Sequence, residues 1–416
     1  MKKIILIFYI LFVFSTPVFA VEISSFGNQS LPFGYTSGTP IDNFASAKFA
    51  NSNKVVVVYS DTGQKYGAAV VGDININNTV DWGAASIFTS VNTAGNLCKV
   101  TTIGTDTIVV MYYNEVTTYT LVRAGTIDES NNITWATPNN LGTFTPTSYS
   151  LLTMDSNKFI AGVTGPSKPA TVTVGICNAN KTITWNGSAD IIAANSYMSL
   201  TKLTDTKFAR LLLYPSYNIV TTYNIIEQGG PYYNITSGVV SAFDSSSTLY
   251  YPSIVSLSST KIAISFQDST DGNKGKCKHA ILDGSDNMSW SDTKTFTTNN
   301  AALINSIPVD SSNFIINYSD NSTSAYGKSV VVNENNNVLT PADIKTYINS
   351  DVSFSSSSLL LSSDKFINFY SCSSSSYNGV AKVGFLTYPT QGYKNKLNGI
   401  TIQYINNIIP AKINGI

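Results

Sequence analysis

One phrase recurs along this chain about every 52 residues, and it limits the possible folds more than any other property. Its clear copies are SNKVVVVYSD at 52–61, SNKFIAGVTG at 156–165, STKIAISFQD at 259–268, SSNFIINYSD at 311–320 and SDKFINFYSC at 363–372. Two diverged copies, TDTIVVMYYN at 105–114 and DTKFARLLLY at 205–214, fill the intervals. Aligned on the residue that opens the apolar run, the units begin at Lys54, Thr107, Lys158, Lys207, Lys261, Asn313 and Lys365, in steps of 53, 51, 49, 54, 52 and 52. A fixed period of this length marks an array or a propeller, in which one supersecondary unit is stacked on copies of itself.

The best copy, 43–90, predicts four strands, at 46–50, 54–60, 67–73 and 82–89, separated by turns rich in Asn, Asp, Gly and Ser. Val55, Val56, Val57 and Val58 are apolar without alternation, so the second strand is expected to be buried on both faces. A sheet stacked between two neighbouring sheets meets that requirement. The tryptophans obey the same period. Trp82, Trp135, Trp185 and Trp290 lie 28, 28, 27 and 29 residues after their anchors, and Tyr393 takes the slot in the last unit at 28. That regularity makes them core residues, expected to pack the outer strand against the next unit. Four strands repeated seven times predict an all-β chain, a seven-bladed β-propeller of four-stranded antiparallel blades.

The pattern S/T-x-K, aliphatic run, Y-S-D, then Y-G-x-A, then W resembles the propeller repeats of exported bacterial and phage-tail proteins, an uncharacterised family. The resemblance covers 43–393 and implies the fold alone. The propeller is expected to span 43–397. The segment 21–42 carries a strand-like piece around 30–35, and 398–416 reads as a hairpin turning at Asn406-Asn407. Either or both are expected to complete the last blade.

Residues 1–20 lie outside the fold. Lys2 and Lys3, an apolar run of 11 over 4–14, and Val18-Phe19-Ala20 have the form of a secretory signal peptide cleaved after Ala20. A secreted or periplasmic protein is expected. No other apolar stretch reaches the length of a membrane span, so no membrane insertion is expected. Of 25 basic and 25 acidic residues, 23 and 25 remain after cleavage. A nucleic-acid partner is excluded on this balance, because displacing counterions from phosphate needs a basic surface. Cys98, Cys177, Cys277 and Cys372 fall at different places in four units and are expected as buried thiols rather than a disulfide framework.

Candidates for chemistry are few. His279 is the only histidine and falls in a predicted strand, where packing is its ordinary role; no cofactor or metal is expected. Arg123 and Arg210 are the only arginines, too few to clamp a substrate carboxylate as a sialidase does. Asp61, Asp268 and Asp320, with Asn114 in the second unit, share the position seven after the anchor. They could form a ring of acids for a cation or for catalysis, or each could end a strand by bonding its own turn. The second reading is favoured, since these residues obey the repeat. Tyr59, Tyr112, Tyr318 and Tyr370, with Phe266, are expected inside the blades, whereas Tyr66, Tyr119, Tyr326 and Tyr377 follow the polar loop and could stack on sugar rings. The expected function is non-catalytic binding of a glycan or cell-surface protein through the loops 61–66, 114–119, 268–275, 320–326 and 372–378. A structural or protein-interaction scaffold, or an enzyme acting on polysaccharide, stands as the alternative.

Overall fold

Both faces of each second strand are covered, and by different neighbours. The computed structural model of the chain describes residues 20–30, 33, 41–61, 66–90, 98–143, 145–166, 168–191, 197–214, 217–229, 232–244, 248–372, 378–388, 395–397 and 400–402. The signal segment, Tyr377, Tyr393 and the expected turn at Asn406-Asn407 lie outside them. The chain enters through β1 (Glu22–Gln29). The first unit follows as β2 (Ile41–Lys48), β3 (Lys54–Asp61), β4 (Tyr66–Ile74), β5 (Val80–Trp82) and β6 (Ser86–Thr89). Val55, Val56, Val57 and Val58 of β3 are all 0% exposed. Val56 and Val58 pack with Ile108 and Val110 of the second unit. Val55, Val57 and Tyr59 point the other way, into Ile367, Phe369, Ala381 and Val383 of the last. Each such side chain contributes about 1.5–3 kcal/mol on burial, so the first and last units are joined by a full hydrophobic interface.

The meander recurs with the same antiparallel order. The second unit holds β7 (Cys98–Ile103), β8 (Thr107–Asn114), β9 (Tyr119–Ile127), β10 (Ile133–Trp135) and β11 (Asn139–Thr143). The third holds β12 (Ser148–Thr153), β13 (Lys158–Gly165), β14 (Lys168–Cys177) and β15 (Ile183–Ile191). The fourth holds β16 (Tyr197–Thr204), β17 (Lys207–Tyr214), β18 (Tyr217–Glu227) and β19 (Tyr233–Asp244).

The rest forms one continuous 12-stranded sheet, which also takes in β1. It comprises β20 (Leu249–Ser258), β21 (Lys261–Asp268), β22 (Lys274–Leu282), β23 (Met288–Trp290), β24 (Lys294–Pro308), β25 (Asn313–Asp320), β26 (Tyr326–Asn335), β27 (Val338–Pro341), β28 (Lys345–Ser362), β29 (Lys365–Cys372) and β30 (Gly379–Thr387). Two long strands make it continuous. The first half of β24 pairs with β22 and its second half with β25; β28 divides in the same way between β26 and β29. A short pair, β31 (Asn395–Leu397) and β32 (Ile400–Ile402), ends the described chain. The architecture is all-β and antiparallel, with successive four-strand stretches stacked face to face and the last returned to the first.

Hydrogen bonds between inner strands of adjacent units reinforce this return. Ser306 N donates to Ser253 Oγ at 2.9 Å, Met198 N to Ser148 Oγ at 3.2 Å and Ser356 Oγ to the Leu303 carbonyl at 3.3 Å. Ser46 and Ser357 hydroxyls meet at 2.7 Å although 311 residues apart.

Glycine opens the third strand for the aromatics of the fourth. A Cβ at Gly72 would lie 2.6 Å from the Trp82 ring, and one at Gly125 2.7 Å from Trp135. The tryptophans face the preceding unit, not the next as expected: Trp135 Nε1 donates to Ser86 Oγ at 3.0 Å and Trp290 Nε1 to Ser241 Oγ at 2.9 Å. The fourth strand, expected unbroken at 82–89, is interrupted in the first unit. After Trp82 the chain steps aside at Gly83, whose N–H keeps a 2.8 Å bond to Val71 O, and Ala136, Ser291 and Ala342 make the same bond in their units. A further glycine, Gly67, lies under Phe88, Gly275 under Phe296 and Gly327 under Tyr347. Gly379 lies under Phe33, which comes from the N-terminal segment.

That segment pairs upstream of the expected piece at 30–35. β1 runs antiparallel to β30, and Phe33 adds an isolated bridge to Gly379. Val21 and Ile23 are buried with Ile315, Val331 and Phe366. The four cysteines are buried and no disulfide joins them. His279 is 1% exposed, and burial lowers its pKa below the ordinary 6.5. Ile23→Ala is expected to lower unfolding free energy by about 2–5 kcal/mol, read by urea denaturation. A change within experimental error would mean that β1 contributes nothing to the core.

Candidate functional site

The register brings most sequence-predicted site residues together in cross-strand pairs. Asp61 faces Tyr66, Asn114 faces Tyr119 and Asp320 faces Tyr326 where the second strand of a unit hands over to the third. Asp268 instead faces Lys274. Tyr66, Tyr119 and Tyr326 are half-buried, and Tyr377 lies outside the described residues. The acidic and amide positions are engaged locally. Asn114 Oδ1 accepts from Val116 N at 3.0 Å and Thr117 N at 3.1 Å. Asp268 Oδ1 accepts from Thr270 N at 3.0 Å, and its Oδ2 from Lys276 Nζ at 2.8 Å. Asp320 accepts from Ser322 N at 3.0 Å, from Asn299 Nδ2 at 2.7 Å and from Lys328 Nζ. Burial opposes ionisation of Asp268 and Asp320, but the hydrogen bonds from Lys276 and Thr270 and from Lys328, Asn299 and Ser322, together with the lysine charges, outweigh it and hold both carboxyls below the ordinary 3.8. Both act as turn caps, a common use of Asp.

These strand ends share a face with the connections between units. Leu249 at the start of β20 pairs with Asp268, and Ser269 N donates to Thr248 O at 3.1 Å. The inner strands β2, β7, β12, β16 and β20 begin on that face, as do the second halves of β24 and β28, and together they surround a cavity of about 380 Å³. One residue of each shares a register position four after the anchor's level: Ala45, Lys99, Ser150, Ser199, Ser253, Asn305 and Ser357. All line the cavity, whose wall is therefore largely hydroxyl and amide. Lys99 is the one charged residue among the described lining, and burial lowers its pKa. None of the described Asp or Tyr residues singled out from sequence lines this cavity.

Tyrosines stand at its rim, and they break the repeat. At the level of the sixth residue after the anchor, the inner strands carry Asp42, Ser148, Tyr197, Tyr250, Ala302 and Ser353. Tyr197 and Tyr250 thus occupy equivalent places on adjacent strands, 43% and 38% exposed, with ring centroids 6.4 Å apart at 75°. Tyr251 beside them is 39% exposed and adopts φ 50°, a left-handed conformation uncommon for a bulky residue. Burial, with the Tyr197 and Tyr250 phenols nearby, raises its pKa. The turn in the backbone is a β-bulge between Tyr250 and Ser253, where two residues oppose the buried Phe266. Bulges re-aim side chains at sheet edges. β2 and β24 bulge similarly opposite Tyr59 and Tyr318, whereas β12 and β16 run straight past Val163 and Leu212.

This offset hid the pair in the sequence. Tyr197 lies 10 residues before its anchor and Tyr250 lies 11 before, so a fixed-period alignment misses their equivalence. The remaining candidates serve the scaffold. Arg123 Nε donates to Ala136 O at 2.6 Å over the Trp135 ring, and buried Arg210 donates to Ala170 O at 3.2 Å beside Tyr223. The site is an aromatic rim above a hollow lined by hydroxyls, one amide and apolar side chains.

The chain matches no protein-family model and no curated protein. Solved structures share its fold. The BP39L lectin of Burkholderia pseudomallei superposes with a TM-score of 0.59 at 10% identity, over 80% of this chain and 93% of that one. The WD40 domain of Toxoplasma gondii coronin gives 0.56 at 9% identity, over 89% and 87%. A protein of unknown function from Dyadobacter fermentans gives 0.51 at 9% identity, over 88% and 99%. WD40 domains are β-propellers, and at these identities the likeness shows a propeller-like fold alone.

Asp320→Ala would strand Lys328 and Asn299 and is expected to cost roughly 2–4 kcal/mol at neutral pH. Because Asp320 is more acidic folded than unfolded, its contribution is complete well above 3.8 and fades as pH falls through the lower folded value. Urea titrations at pH 7 and pH 3 should therefore show a narrower gap between variant and parent at pH 3. A constant gap would contradict the assigned ion pair.

Proposed function

We propose that this chain is an exported, non-catalytic binding protein: a seven-bladed β-propeller, its last blade completed by β1, that recognises carbohydrate at the mouth of its central cavity. One observation carries the reading. Tyr197 and Tyr250 present accessible rings side by side above a wall whose seven register-equivalent positions include Ser150, Ser199, Ser253, Asn305 and Ser357, on the face that also gathers the inter-unit connections. Sugar rings offer apolar C–H faces and many hydroxyls, and an amphipathic phenol meets both at low entropy cost. The strand-end pairs Asp61–Tyr66, Asn114–Tyr119 and Asp320–Tyr326, with Asp268, frame the same face as an outer rim. The signal segment at 1–20 would deliver the protein to the periplasm or the medium, where surface glycans are accessible.

The reading is tested by binding of the mature protein to immobilised glycans. Tyr197→Ala with Tyr250→Ala is expected to weaken binding at least tenfold, about 1.4 kcal/mol, while Tyr66→Ala with Tyr326→Ala has a smaller effect. Absence of glycan binding by the parent, or indifference to the Tyr197 and Tyr250 changes, would reject it.

A further inference from the structure

A second cavity, of about 450 Å³, lies at the outer edge between the second and third units and shares no described lining residue with the central mouth. It exists where the repeat fails. In two units the indole N–H of the periodic tryptophan is satisfied by a serine of the preceding unit: Trp135 by Ser86 at 3.0 Å and Trp290 by Ser241 at 2.9 Å. The residue equivalent to those serines beside Trp185 is Asn139. Ser86, Ser241 and Asn139 all pair with the third-strand residue that faces the fourth after the anchor: Ala69, Val220 and Val122. Asn139 does not take up the role, and its amide donates instead to Thr137 O at 3.2 Å. Trp185 Nε1 is left buried without a partner, as is Nδ2 of its neighbour Asn186. A donor buried unpaired has given up its hydrogen bond to water without replacement, so the local structure favours an occupant that brings acceptors.

We infer that this lateral cleft is a binding site for a neutral monosaccharide unit, separate from the central mouth. The volume falls within the range of small-molecule sites, about 300–1,000 Å³. Leu141 and Val163 supply an apolar wall, Trp185 and Asn186 supply donors, and Asp190 supplies acceptors. Asp190 Oδ1 already accepts from Thr171 Oγ1 at 2.7 Å, which fixes the carboxylate at the cleft wall. Ring oxygens and hydroxyls accept from the indole and amide, and hydroxyl protons go to Asp190. No basic residue is among the described lining, and Asp190 repels acids, so anionic sugars are selected against. The occupant takes the place that serine fills in the sister units.

The test uses intrinsic tryptophan fluorescence of the mature full chain, titrated with methyl glycosides of the common hexoses and 6-deoxyhexoses up to tens of millimolar. The parent is expected to respond to at least one. Trp185→Phe, which removes the N–H and keeps an aromatic ring, should weaken binding about tenfold when followed by calorimetry. Asn139→Ser should restore the pairing seen at Trp135 and Trp290, raising the thermal midpoint while weakening binding by a similar factor. Tyr197→Ala with Tyr250→Ala should leave this site unaltered. No response by the parent to any glycoside, or parental affinity in both the Trp185 and Asn139 variants, would overturn the inference. Binding that depends on Tyr197 and Tyr250 but ignores Trp185 would overturn it as well, while leaving the central-mouth reading in place.

Discussion

The two-sided burial of the second strand is the constraint on which the rest of this structure depends. In β3, side chains of odd number reach into the last unit and those of even number into the second. The same division recurs: Ala209 and Leu211 of the fourth unit pack on the fifth, while Phe208 and Leu212 pack on the third. A single sheet of this composition would leave one apolar face in water. Each unit therefore needs a neighbour on either side, and a finite row satisfies every member only by closing. Closure in turn places the first strand of each unit around a common axis and creates the cavity there.

Much of this was legible from the residues alone. The uninterrupted Val55 to Val58 run announced burial on both faces, and the even spacing of Trp82, Trp135, Trp185 and Trp290 announced a shared packing role. Tyr59, Tyr112, Tyr318, Tyr370 and Phe266 are buried as their position implied. The direction in which the tryptophans pack was not legible, because their shared spacing fixes a place within the unit and not which of its two neighbours that place faces. The N-terminal segment was expected to complete the last blade through a piece around 30–35, but the strand at 22–29 was not legible, because EISSFGNQ alternates poorly and its partner β30 lies some 350 residues away.

The candidate site was less legible than the fold, and the difference is instructive. Repeated Asp and Tyr residues attract notice because they recur, yet recurrence is what a structural role produces; Asp268 and Asp320 cap turns and hold lysines. Residues that depart from the repeat are harder to see. Tyr197 and Tyr250 become equivalent only when the bulge in β20 is counted, and Trp185 looks like its sisters until its missing serine is noticed. Closure of the ring supplies the scaffold, and departures from its symmetry supply the surfaces at which something else can bind.

The most direct measurement of that claim is a diffraction structure of the mature protein soaked with a neutral oligosaccharide. Sugar density is expected against the Tyr197 and Tyr250 rings at the central mouth. Density confined to the repeat-conforming strand ends around Asp268 and Asp320, with the mouth and the Trp185 cleft both empty, would contradict it.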